Sequence, residues 1–159
     1  MFEQIDENRS SSAQNDTFEL EQQLSSGANW FYWIAALSIV NSVITLFEGN
    51  WNFAIGLGVT QIIDGVSLAV SGEGGGNFVK FVAFALDFIV AGIFALFGVF
   101  ANKRQNWAFI VGMVLYLLDG LIFLLAGGFL GLILHGLALF YLFRGFTAAR
   151  QLNQLGNNQ

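Results

Sequence analysis

The sequence predicts an all-α fold: a transmembrane bundle of five helical spans behind an acidic, mostly disordered N-terminal tail. Three observations lead there. The chain is 55% hydrophobic and only 11% charged, against about 25% charged in soluble domains, so a soluble fold of this size could not hide its apolar surface. Five apolar runs follow one another, each near the roughly 20 residues a helix needs to cross the hydrocarbon core. Trp30, Trp33, Trp51 and Trp107 fall at the ends of those runs, as an aromatic belt requires.

Residues 1–28 come first. They are rich in Ser, Gln, Asn and Glu, with Glu3, Asp6, Glu7, Asp16, Glu19 and Glu21 set against Arg9. Such a composition predicts disorder, relieved by "DTFE" (Asp16 to Glu19), a capping-box pattern that predicts a short helix through Leu24. Residues 29–148 carry the spans, at about 30–48, 53–71, 78–100, 107–126 and 129–146. The first run starts behind an acidic segment with no small-residue cleavage site after it, so it reads as a retained span, not a signal peptide. The breaks are "EGNWN", "GEGGGN", "NKRQN" and "GG". Gly127 and Gly128 divide an apolar stretch too long for one span, which predicts a tight helical hairpin. Residues 149–159 form a short polar tail. From Phe143 to Leu155 the last span runs into an interfacial helix. There Arg144 and Arg150 either meet lipid phosphates or act as a plain positive-inside anchor.

With five spans the two ends lie on opposite sides. Arg9 and Lys80 mark one side, and Lys103, Arg104, Arg144 and Arg150 the other. The positive-inside rule then places the N-terminus outside and the C-terminus in the cytoplasm.

Several functions are disfavoured. The net charge is −5 and there is no basic patch, which argues against nucleic acid. Cys is absent, so disulfides and thiol chemistry are excluded. "GEGGGN" lacks the Lys-Ser or Lys-Thr of a phosphate loop, and nothing resembles an activated serine. No enzyme activity and no cofactor is expected beyond a possible bound cation. The expected partners are the lipid bilayer and either further copies of the chain or a larger membrane complex.

What remains is a set of ionisable residues inside the spans: Asp64, Asp87, Asp119 and His135. Such a group near a bilayer centre costs on the order of 2.5–3.5 kcal/mol, so those that persist usually face the bundle interior. At a rise of about 1.5 Å per residue, all four fall roughly 9–13 Å below one face of the membrane, in a single layer. "IIDGVSL" (62–68) also matches "LLDGLIF" (117–123), a weak internal repeat.

Neighbours at three-and-four spacing mark the inward faces. They are Ser38, Asn41 or Ser42, and Thr45 in span one, and Thr60, Gln61, Asp64, Ser67 and Ser71 in span two. Span three gives Ala83, Asp87, Ala91, Ala95 and Gly98. Span four gives Gly112, Tyr116, Asp119, Phe123 and Gly127, and span five gives Gly128, Gly131, His135 and Ala138. Asn41, Thr60, Gln61 and Tyr116 are the expected polar support of the layer.

Three carboxylates in a low dielectric cannot all be ionised without counter-charges, so either some carry protons or a cation sits among them. The reading that follows is a small multi-pass membrane protein whose Asp/His layer binds or relays protons or small cations. The alternative is a structural or accessory subunit in which these groups only fix helix packing. A third reading is an intramembrane metal-dependent hydrolase, with His135 and two of the Asp residues holding zinc.

Overall fold

A computed structural model describes residues 2–46, 57–70, 76–125 and 129–157. These form α1 (Phe2–Leu46), α2 (Gly58–Val70), α3 (Gly76–Asn102), α4 (Asn106–Leu125) and α5 (Phe129–Asn157), with no strand among the described residues. Four helices are long and apolar enough to cross a membrane, over Gln14–Ile44, Phe78–Asn102, Asn106–Leu125 and Phe129–Asn157. Large apolar side chains such as Phe78, Phe81, Ile89, Phe129 and Ile133 face outward. The small residues Ala28, Ala91, Ala138 and Ala149 are buried. That inversion is the surface of a membrane protein, in which small residues let helices approach closely.

The N-terminal segment differs from the expected disordered tail. It is helical from Phe2, and α1 runs without a break for 45 residues, so no helix starts at Asp16. The reason is phase. Leu20, Leu24, Ala28, Phe31, Ile34 and Ala35 continue one stripe at three-and-four spacing across the expected boundary at residue 28. Leu24 and Ala28 are buried in the same core as Ala148, Ala149 and Leu152 of α5. The polar residues lie on the other face of the same helix. Glu21 pairs with Arg104 at 2.7 Å.

α1 and α5 pack antiparallel and touch through backbone. A Cβ placed on Gly27 would sit 2.5 Å from the Gly145 Cα and 2.8 Å from the Tyr141 carbonyl oxygen. Beside this crossing, the rings of Trp30 and Tyr141 stack at 5.2 Å. The turn between α3 and α4 is fastened at the same end. The Arg104 N–H donates to Ala101 O (2.9 Å) and the Gln105 N–H to Phe100 O (3.2 Å). That pattern closes a helix on a left-handed residue, and Arg104 takes that role at φ 59°. A non-glycine residue there costs about 1–2 kcal/mol. The neighbours hold it in place, since the Arg104 side chain meets Glu21 and its carbonyl accepts the Asn153 amide of α5 at 2.9 Å.

Glu21, Arg104 and Asn153 thus gather at one end of the bundle, where the first half of α1 meets the last turns of α5. Of the five expected spans, four helices qualify by length and composition among the described residues. The difference arises at α2. This helix has 13 residues, about 20 Å long, too short for the roughly 30 Å hydrocarbon core. Within the expected span 53–71, residues 53–56 and 71 lie outside the described residues, as do Trp51, Gly127 and Gly128. The Leu57 N–H donates to Ser38 Oγ at 2.7 Å, and Ser38 lies eight residues, about 12 Å, before the end of α1. α2 therefore begins inside the bundle, not at its edge. From there it runs parallel to α1 and α4 and antiparallel to α3.

Candidate functional site

A helix that starts in an apolar interior exposes its first N–H groups where no water can meet them. The chain meets this need with side chains from two other helices. Ser38 of α1 takes the Leu57 N–H. Asp119 of α4 takes the next two: Oδ2 accepts from the Gly58 N–H at 2.7 Å, and Oδ1 from the Val59 N–H at 2.9 Å. The Thr60 hydroxyl donates back to the Leu57 carbonyl at 2.8 Å. The helix dipole adds to these bonds, because a carboxylate is favoured at a helix N-terminus.

His135 of α5 completes this arrangement. Its Nε2 lies 3.1 Å from Asp119 Oδ2, and its Nδ1 lies 2.8 Å from the Gly131 carbonyl. A carbonyl only accepts, so Nδ1 donates. A carboxylate also only accepts, so the Nε2 contact needs a second proton, carried on His135 or on Asp119. The pair therefore shares one proton. The imidazole is held flat against Tyr116, with ring centroids 4.3 Å apart and planes within 12°, and Phe123 lies at 4.8 Å. Gly120 makes room for it, since a Cβ there would stand 3.2 Å from His135 Cδ2.

The second pair lies further along α2. Asp64 sits six residues past Gly58, about 9 Å along the helix, against Asp87 of α3, close enough for the two carboxyls to interact. Asp87 Oδ2 accepts from the Ser42 hydroxyl of α1 at 2.7 Å, and Ser42 stands over the Ser38 carbonyl at 3.2 Å. Asp87 Oδ1 and the Ser67 hydroxyl are both buried without a hydrogen-bond partner among the described residues. Ser67 lies one turn beyond Asp64 on the same face of α2.

All four ionisable residues are buried, but not in the single layer expected. They form two pairs at different depths, Asp119 with His135 and Asp64 with Asp87. Counting from span ends sets Asp64 level with Asp119, whereas Asp64 lies about 9 Å further along α2 than the residues that Asp119 caps. Of the expected support, Tyr116 lies on His135 and Thr60 closes the first turn of α2. Asn41 is buried beside Ser42, and Gln61 is only partly buried. Ser38 and Ser42 carry contacts that the sequence pattern marked only as a polar stripe. Among the described residues no three His, Asp or Glu side chains gather as metal ligands would. The zinc arrangement of His135 with two Asp residues is thus not assembled. An apolar cleft of about 310 Å³ between α2, α3 and α4 reaches Asp119 past Leu57, Val90 and Phe94. Comparison with known proteins finds no matching family model, no similar curated protein and no similar solved structure.

Proposed function

We propose that this membrane protein binds or relays protons or small cations at the Asp64–Asp87 pair, in the manner of a small channel or transporter. The observation that carries the reading is the meeting of two buried carboxyl groups beside two buried oxygens, Asp87 Oδ1 and Ser67 Oγ, that lack partners among the described residues. Two carboxylates in contact repel unless a proton or a cation lies between them. Carboxylate and hydroxyl oxygens are the ligands that hard cations prefer. The Ser42 hydroxyl steadies Asp87 from the third side.

The structural reading applies to the other pair. Asp119 already accepts from two backbone N–H groups and meets His135, so its task is to start α2 inside the bundle and thereby to place Asp64. The test is flux in liposomes loaded with a pH-sensitive dye, with and without a sodium or potassium gradient. Asp64→Asn and Asp87→Asn should each abolish ion-dependent flux while the protein stays folded, because Asn keeps the shape of the acid but cannot ionise. Wild-type protein that carries no flux, and whose melting temperature is indifferent to sodium, potassium and pH, would leave only the structural reading.

We also infer four crossings with both ends in the cytoplasm. Arg9, Lys103, Arg104, Arg144 and Arg150 belong to the end of the bundle where the termini lie, and Lys80 to the other. Five against one is a stronger positive-inside bias than the four against two of a five-span arrangement.

A further inference from the structure

We propose that the seam between α1 and α5 is a binding site for one phospholipid, with its phosphate at Arg144 and an acyl chain along Trp33 and Leu37. Two adjoining hollows make the case. The first, of about 380 Å³, is lined by Gln22, Gln23 and Ser26 of α1 and by Tyr141 and Arg144 of α5. Its side chains offer a guanidinium, two amides and two hydroxyls, donors suited to phosphate oxygens. Arg144 is exposed and has no acidic partner among the described residues. The second hollow, of about 510 Å³, shares Ser26 and continues toward the membrane centre past Asn29, Trp30, Trp33 and Leu37.

Depth fits the two ends of a lipid. Ser26 lies one turn outward from Trp30, and Trp30 stacks on Tyr141 where the aromatic belt is expected. Trp33 is 62% exposed and lies a turn deeper, among acyl chains. Both hollows fall within the roughly 300–1,000 Å³ of ordinary ligand sites. Charge also fits. Glu21 is engaged by Arg104, and Asp16 and Glu19 line a hollow nearer the start of α1, which meets the first at Gln23 and does not include Arg144. The Gly27–Gly145 contact fixes the floor of the site, because two helices whose backbones touch leave no side chain between them to fill the groove. This inference is independent of ion handling at Asp64 and Asp87.

Native mass spectrometry of the full chain in detergent tests it, with phosphatidylglycerol, diacylglycerol and inorganic phosphate as probes. The wild type should retain one phosphatidylglycerol and no diacylglycerol, and millimolar phosphate should not displace the lipid. Arg144→Gln and Trp33→Ala should each weaken retention about tenfold, the scale of one lost charge-assisted or aromatic contact. Lys103→Gln, on the α3–α4 turn, should leave it unchanged. Both substituted side chains are exposed, so lipid-free melting should match the wild type. Equal retention of phosphatidylglycerol and diacylglycerol, equal retention by all variants, or displacement by phosphate alone would overturn the proposal.

Discussion

Asp119→Asn should cost about 2–4 kcal/mol of stability, whereas Asp87→Asn should cost less than about 1 kcal/mol. The two residues are both buried aspartates on apolar helices, so composition gives no reason for a difference. Geometry does. Asp119 Oδ2 meets the Gly58 N–H and His135, and Oδ1 meets the Val59 N–H. An amide has one oxygen, and its NH2 group must point at one of those sites. Whichever way it turns, a buried donor faces another donor. An unsatisfied buried N–H costs about 1–3 kcal/mol, and the charged bond that it replaces is worth about 1.5–3 kcal/mol. At Asp87 the amide oxygen keeps the Ser42 hydroxyl, and the NH2 group falls where Oδ1 has no partner among the described residues. Unfolding by titration of a denaturing into a mild detergent, followed by circular dichroism, gives both values. Equal costs, or a silent Asp119→Asn, would refute the account of how α2 begins.

The other predictions concern the shared end of the bundle. Gly27→Ala should destabilise by about 1–3 kcal/mol, because its Cβ would fall 2.5 Å from the Gly145 Cα and the helices must part. Detergent melting of that variant reads it. Deleting residues 2–26 should lower the melting temperature clearly. It removes the buried Leu24 and the partly buried Leu20, each worth up to about 1.5–3 kcal/mol, whereas the exposed Glu21–Arg104 pair contributes at most about 1 kcal/mol. Compartment reporters fused at either end should report the same side, and opposite sides would restore a fifth crossing.

Much of the interior was legible in the sequence. The small and polar stripes expected to face inward are buried at Ser38, Asn41, Ser42, Thr60, Asp64, Ser67, Asp87, Tyr116, Asp119, His135 and Ala138. Helical periodicity reports a face directly, so this part of the reading needed no knowledge of depth. Depth and partner choice were not legible. The run at 53–71 has the length and hydropathy of a span, and nothing local says that its helix starts only at Gly58. That start is set by Ser38 and Asp119, residues far away in sequence. The helical N-terminal segment was readable in principle. Its Leu20–Leu24–Ala28 stripe runs in phase with Phe31 and Ile34, but its polar composition outweighed that signal.

The two matching motifs show how little a local pattern fixes. Asp64-Gly65 and Asp119-Gly120 sit in nearly the same apolar context, on helices that run the same way. At Gly120 the open side is filled by His135, whereas a Cβ on Gly65 would meet nothing within 4 Å. The aspartates differ accordingly. Asp119 accepts from two N–H groups at the N-terminus of α2 and meets His135, so both of its oxygens already have partners within the chain. Asp64 faces another carboxyl across the helix interface, with the Ser42 hydroxyl on Asp87 and the Ser67 hydroxyl one turn along α2. Two buried carboxylates in contact repel unless a proton or a cation lies between them. If this chain handles an ion, the physics therefore selects the Asp64–Asp87 pair over the Asp119–His135 pair. The cap made by Asp119 is then what keeps Asp64 at the depth where an arriving proton or cation would find both carboxyls.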